Sequence, residues 1–222
     1  MWGFYFNVLM RSLPFFLKGL WMTVAVSGLS LIAGTIIGFI WGIMRASGNK
    51  ILRSIIGAWV DLIRGTPFLV QVFIIFFILP SAGIELEAFP AAVIALSNMA
   101  ACFICEIVAG GILAVPSGQR EAATASGLSA YQQLRYIVLP QAMRTILPPL
   151  VGQYVLIVKD SSVVSAIGVV DITRVGWLTV QRIPEGLMVF GLVGLLYFVI
   201  CYPLINLSNL LERRMTVVST RL

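Results

Sequence analysis

An all-α polytopic membrane protein with about five transmembrane helices is predicted from three observations. Hydrophobic residues make up 59% of the 222-residue chain and charged residues only 11%, and the mean hydropathy is +1.00, far from the proportions of a soluble domain. Gly19 to Met44 and Gly186 to Leu211 each run 26 residues without a charge, enough to cross a hydrocarbon core about 30 Å thick with some tilt. The basic residues behind the net charge of +6 stand singly beside apolar blocks. That is the distribution of topology signals and argues against nucleic-acid binding. A single domain over 1–222 is expected at this length, its helices packed on one another in lipid.

The residue inventory removes several kinds of chemistry. With no histidine in the chain, zinc sites built on imidazole and Ser-His-Asp or Cys-His catalysis are excluded, and no catalytic or metal-binding residue is expected. Cys102 and Cys105 form a C-x-x-C, but inside an apolar run with no second pair, and Cys201 stands alone. Buried thiols acting as small hydrophobes account for all three. No G-x-x-x-x-G-K-[ST] phosphate loop is present, so no ATP site is expected in this chain. The first apolar block is too long for a cleaved signal peptide and no small-residue cleavage site follows it.

The elements follow in order. Met1 to Lys18, with its aromatics, Arg11 and Ser12-Leu13-Pro14, predicts a short interfacial helix before the first span, Gly19 to Met44. Arg45, Lys50 and Arg53 around Ser47-Gly48-Asn49 make a positive, hence cytoplasmic, loop. Ile51 to Pro80 is too long for one straight crossing, and Pro67 to Pro80 alone is too short at about 1.5 Å per residue. A bend is therefore expected at Arg64-Gly65-Thr66-Pro67. Ser81 to Glu87 carries Glu85 and Glu87 without a basic residue and reads as periplasmic. A third span runs from about Ala88 to Leu113, interrupted by Glu106, and a fourth from Thr145 to about Ile167, carrying Lys159 and Asp160. Val169 to Glu185, with Asp171, Arg174, Arg182 and Pro184, should be an external loop with some helix. Gly186 to Leu211 is the last span, and Arg213, Arg214 and Arg221 close the chain in the cytoplasm. Leaving Arg64 aside, nine basic residues fall inside and five outside. The N-terminus is therefore periplasmic and the C-terminus cytoplasmic.

Between the third and fourth spans lies a polar stretch, Gln119-Arg-Glu-Ala-Ala-Thr-Ala-Ser-Gly127, then Ser129 and Ile137-Val-Leu-Pro140. The alanine-rich part predicts a helix with a small-residue face. Gly127 suits the left-handed residue that ends it, and Ser129 with Gln132 forms a capping box that starts a second helix. The spacing E-A-A-x3-G-x9-I-x-L-P closely resembles the coupling loop of bacterial ATP-binding-cassette importer permeases. Arg-Gly-Thr-Pro-Phe-Leu-Val-Gln71 and Glu106-Ile-Val-Ala-Gly-Gly111 resemble segments of the polar amino-acid branch of that family. The branch commonly has arginine where this chain has Ala109, so a partner for Glu106 is missing there.

The resemblance implies the type I importer permease fold in the bacterial inner membrane, with a coupling-helix loop over about 115–140. It implies two permease chains, identical or homologous, packed side by side, and two cytoplasmic ATPases that bind ATP-Mg and receive the coupling loops. A periplasmic or lipid-anchored solute-binding protein would deliver the amino acid. Glu121, Ala122, Ala123 and Gly127 would carry the ATPase contact. Arg64, Glu106, Lys159 and Asp160 are candidates for a gating or charge network. For Glu106, near the inner interface, a solvated or capping role fits as well.

Depth arithmetic adds a candidate substrate site. Gln71 is nine residues inside Pro80 and Asn98 ten inside Ala88, both about 14 to 15 Å from the outer surface. Gln153 and Tyr154 reach nearly that depth from the inner side. Interhelical hydrogen bonding is the other explanation for such residues, at about 1 kcal/mol each. Amides and a phenol can bind a zwitterion without adding a fixed charge. The resembling branch often has Asn-Glu where this chain has Gln153-Tyr154, and loss of that acid favours a neutral or acidic amino acid. An ion-driven secondary transporter would want midplane acids or inverted repeats, and neither is evident. A non-transporting assembly subunit would have no reason to line the bundle with midplane polar groups, and a membrane enzyme is disfavoured by the lack of histidine and of paired carboxylates.

Overall fold

The computed structural model describes residues 2–47, 49–182 and 185–219, so Gly48 of the first inner loop, Pro184 of the external loop and Arg221 of the tail lie outside the described residues. Helix α1 (Trp2–Ala46) is continuous and carries Pro14 in its interior. The separate interfacial helix expected before the first span does not form. Breaking the helix at Pro14 would free further backbone groups where water is scarce. Leu9 and Phe16, one on each side of the proline, are instead buried with Ile172, Val175, Val189 and Val193.

The bend is where the sequence places it. Helix α2 (Lys50–Arg64) begins at Asn49, whose side chain accepts from the amides of Ile51 and Leu52, and meets Phe68–Ala82 at 103°. Gly65 N–H still donates to the Asp61 carbonyl at 2.8 Å, and Pro67 then has no N–H to continue the ladder. Helix α3 (Phe68–Phe73) runs on through a π turn, Ile74–Ile78, and a 3-10 turn, Leu79–Ala82. It stops at Gly83, in the left-handed region at φ 82°.

Helix α4 (Ala88–Leu113) matches its predicted span and is the centre of the core. Beside it, Gly34, Gly38 and Gly42 of α1 form a ridge on which a Cβ would stand 2.5 Å from the Cβ of Ala100, 2.7 Å from that of Ile104 and 2.6 Å from that of Val108. Each step of four on α1 meets a step of four on α4, so the helices run parallel, both inward. Only glycine allows backbones this close.

Helix α5 (Ser117–Ala125) follows, and then the chain returns. The fourth span starts earlier than Thr145, because α6 (Ala130–Gln132), a π turn and α7 (Leu139–Asp160) stack end to end. The combined helix Ala130–Ile167 is 38 residues long. Helix α8 (Ile172–Val180) is the helical part of the external loop, and α9 (Gly186–Ser219) continues past the predicted last span. Among the described residues four helices are long and apolar enough to cross a membrane, and the count is five if the bent pair is one span.

Candidate functional site

The polar knob is a stapled corner. Ala123 is buried while Glu121, Ala122 and Gly127 face outward. Helix α5 ends in a Schellman arrangement, with Leu128 N–H donating to the Ala123 carbonyl at 3.1 Å and Gly127 N–H to that of Thr124 at 2.9 Å. Gly127 sits at φ 75°, and no atom lies within 4 Å of where its Cβ would be. The capping box is complete: Ser129 N–H donates to Gln132 Oε1 at 2.8 Å, and Gln132 N–H to Ser129 Oγ at 3.4 Å. Gln133 Nε2 closes the corner by donating to the Leu128 carbonyl at 2.8 Å and to Thr124 Oγ1 at 3.1 Å. Arg120 donates to the Ile112 carbonyl at 2.9 Å, so the knob is tied to the end of α4.

At the elbow, Glu106 has two partners. Its Oε1 pairs with Arg45 at the end of α1 and lies 3.2 Å from Nη1 of Arg64 at the end of α2. The Arg64 guanidinium also lies 5.4 Å from the Phe103 ring centroid, a cation–π distance. The cation that Ala109 does not supply comes from two other helices. Arg64 and Glu106 are thus brought together as a network. No ion pair among the described residues joins Lys159 or Asp160, at the end of α7, to it.

The four residues expected at mid-membrane depth are each engaged elsewhere or buried, and no hydrogen bond among the described residues joins them to one another. Tyr154 Oη lies 2.9 Å from Thr35 Oγ1. Thr35 follows Gly34, whose Cβ position meets Ala100 and the Ser97 carbonyl, so the phenol sits within about a turn of Asn98. Asn98 Oδ1 accepts from Trp59 Nε1 at 3.1 Å. It is the polar member of a 480 Å³ groove lined by Trp41, Met44, Leu52, Ile55, Ile56 and Trp59.

Gln71, 7% exposed, is the most constrained of the four. Its Nε2 donates to the Ile63 carbonyl at 2.7 Å, the Thr66 carbonyl at 3.1 Å and Thr66 Oγ1 at 3.0 Å, sealing the elbow, while its buried Oε1 has no partner. Ser97 Oγ is likewise buried and unpartnered, and Gln153 is buried on α7. Sequence reasoning passed over Thr35, Trp59, Arg45 and Ser97. The first three join residues far away in the chain, which no local spacing reports, and Ser97 had the signal of a small polar residue beside Asn98.

Comparison with known proteins gives a consistent picture. Residues 34–217 match the family described as binding-protein-dependent transport system inner membrane component. The chain is 35% identical over 216 residues to the glutamine transport system permease protein GlnP of Escherichia coli (strain K12), covering 96% of this chain and 99% of that protein. It is 34% identical over 203 residues to the L-cystine transport system permease protein TcyB of Bacillus subtilis (strain 168), covering 91% and 87%. Among solved structures, an amino acid ABC transporter with histidines superposes with TM-score 0.84 at 32% identity, covering 93% of this chain and 96% of that one.

Proposed function

Because the chain belongs to the binding-protein-dependent transport system inner membrane component family, among the amino-acid ABC transporter permeases, we propose that it forms the inner-membrane path for a neutral or acidic polar amino acid. The chain acts as one permease domain over 1–222. It pairs with a second permease chain, takes substrate from a solute-binding protein, and is driven by two cytoplasmic subunits that bind and hydrolyse ATP. The coupling contact is made by Glu121, Ala122, Ala123 and Gly127.

One observation carries the substrate reading. Gln71 has its amide nitrogen saturated by the elbow and its oxygen buried without a partner. An unpaired buried acceptor costs roughly 1–3 kcal/mol, and once a movement of the elbow uncovers this oxygen, a donor on the solute, such as an α-ammonium or a side-chain amide, would relieve that cost. Asn98, Gln153 and Tyr154 add uncharged donors and acceptors at the depth that residue counting assigns to all four. Glu106 is already paired with two guanidiniums and is not available as counter-ion to a cationic side chain.

Uptake into proteoliposomes containing the assembled transporter and its cognate binding protein tests this. Neutral and acidic amino acids should be accumulated ahead of arginine and lysine. Asn98→Ala and Tyr154→Ala should lower uptake while the ATPase subunits still co-purify. Preferred uptake of arginine by a form with two identical permease chains would overturn the charge argument, and unaltered uptake in both variants would return these residues to packing.

A further inference from the structure

Helix α2 has three differently used faces. At 3.6 residues per turn, Ile56, Gly57, Val60 and Ile63 turn toward the bundle and are buried. Ile51, Ile55 and Leu62 form a second stripe, 71%, 63% and 56% exposed. Between these two lies a polar groove of 490 Å³ lined by Arg45, Lys50, Arg53, Ser54, Gly57, Ala58 and Asp61. Including the elbow, this corner holds the cations Arg45, Lys50, Arg53 and Arg64 against the carboxylates Asp61 and Glu106, an excess of two positive charges. Gly57 keeps the groove open. A Cβ there would meet nothing closer than the Arg45 guanidinium at 4.0 Å. By its basic residues the loop is cytoplasmic, and the inner leaflet of a membrane carries anionic lipid.

A basic groove alone would suit any small anion. The exposed aliphatic stripe along its edge, on the same helix, selects an amphiphile. We propose that this groove binds the headgroup of an anionic phospholipid of the inner leaflet, with Lys50, Arg53 and Arg45 on the phosphate and an acyl chain along Ile51, Ile55 and Leu62. The bound lipid covers an apolar stripe that neighbouring helices of this chain leave open. It also fixes the height of α2, and with it the elbow, relative to the bilayer.

The test uses the full chain purified in mild detergent, with added dioleoylphosphatidylglycerol or dioleoylphosphatidylcholine, bound lipids being counted by native mass spectrometry. The parent protein should retain phosphatidylglycerol over phosphatidylcholine. Lys50→Gln and Arg53→Gln should each cut that preference about fivefold, the ratio corresponding to about 1 kcal/mol per basic side chain at an anionic surface. Gly57→Leu, which fills the groove and leaves every charge in place, should also abolish it, while Arg53→Lys should keep most of it. Each variant is checked for the parent's elution profile. Unchanged preference in the glutamine variants and in Gly57→Leu would overturn the proposal. Displacement of the lipid by inorganic phosphate alone would assign the groove to a soluble anion. Loss of permease pairing rather than of lipid would assign it to the second permease chain. Either of these last results also overturns the proposal, and neither bears on the amino-acid path.

Discussion

At the scale of the residue, two positions carry sharply opposed requirements. Gly127 has free space around it and a left-handed backbone, so a substitution there is penalised through φ alone. A β-branched side chain costs about 1–2 kcal/mol in that conformation, too little to unfold the bundle but enough to misaim α5. Gly127→Val should reach the membrane normally and lose most of the substrate-stimulated ATP hydrolysis of the reconstituted transporter, whereas Gly127→Asn, which tolerates the left-handed region, should keep most of it. Asp171 is the opposite case, a carboxylate 1% exposed that caps α8. It accepts from Arg174 N–H at 2.8 Å and from Tyr197 Oη at 3.1 Å. Burial pushes its pKa above the ordinary carboxylate range, against the downward pull of these hydrogen bonds. A carboxyl whose folded pKa is raised binds its proton more tightly folded than unfolded, so stability falls as pH rises from the unfolded to the folded value. Asp171→Asn keeps the cap and should remove that decline, while Asp171→Ala should cost about 1–2 kcal/mol at every pH. Thermal unfolding in detergent across the acid range distinguishes the two.

At the scale of the element, the pairing of α1 with α4 depends on glycines at one spacing. A Cβ at Gly38 would stand 2.8 Å from the Ala101 carbonyl oxygen, backbone that cannot rotate away, whereas a Cβ at Gly28 of the same helix meets nothing within 4 Å. Gly38→Val should therefore sharply reduce the yield of folded protein, and Gly28→Val should be close to neutral, as read by fluorescence-detected gel filtration of tagged chains. These glycines stand in the sequence, but what they face does not, because the partner helix lies more than sixty residues on. The same limit explains Glu106. Its cations, Arg45 and Arg64, belong to the ends of two other helices, so inspection of the neighbouring Ala109 suggested a missing charge. What was legible locally was read correctly: the break at Gly65–Pro67, the left-handed Gly127 and the reciprocal Ser129–Gln132 cap each depend on residues within one turn. Pro14 misled for the converse reason. The local rule for proline was overridden: the helix is continuous through Pro14, and Leu9 and Phe16 on either side of it pack against α8 and α9.

At the scale of the whole molecule, the charge-free runs marked the helices long and apolar enough to cross a membrane, and the distribution of basic residues predicts which way they run. What they left open was which mid-membrane polar groups are already engaged within the chain, since Gln71, Asn98 and Tyr154 each found a neighbour. The native cysteines Cys102, Cys105 and Cys201 are buried, which makes orientation directly measurable. Ser81→Cys should react with a membrane-impermeant maleimide added to intact spheroplasts, and Ser126→Cys only after permeabilisation; the reverse pattern would invert the topology. The closeness of α1 and α4 then has a mechanical consequence. Interlocked at three successive turns, the two cannot slide past each other without lifting apart, and Arg120 fastens the knob to the inner end of α4. A push on the knob would therefore be received by a two-rod plank rather than by a single rod, with Thr35 on that plank and the phenol of Tyr154, on α7, hydrogen-bonded to it.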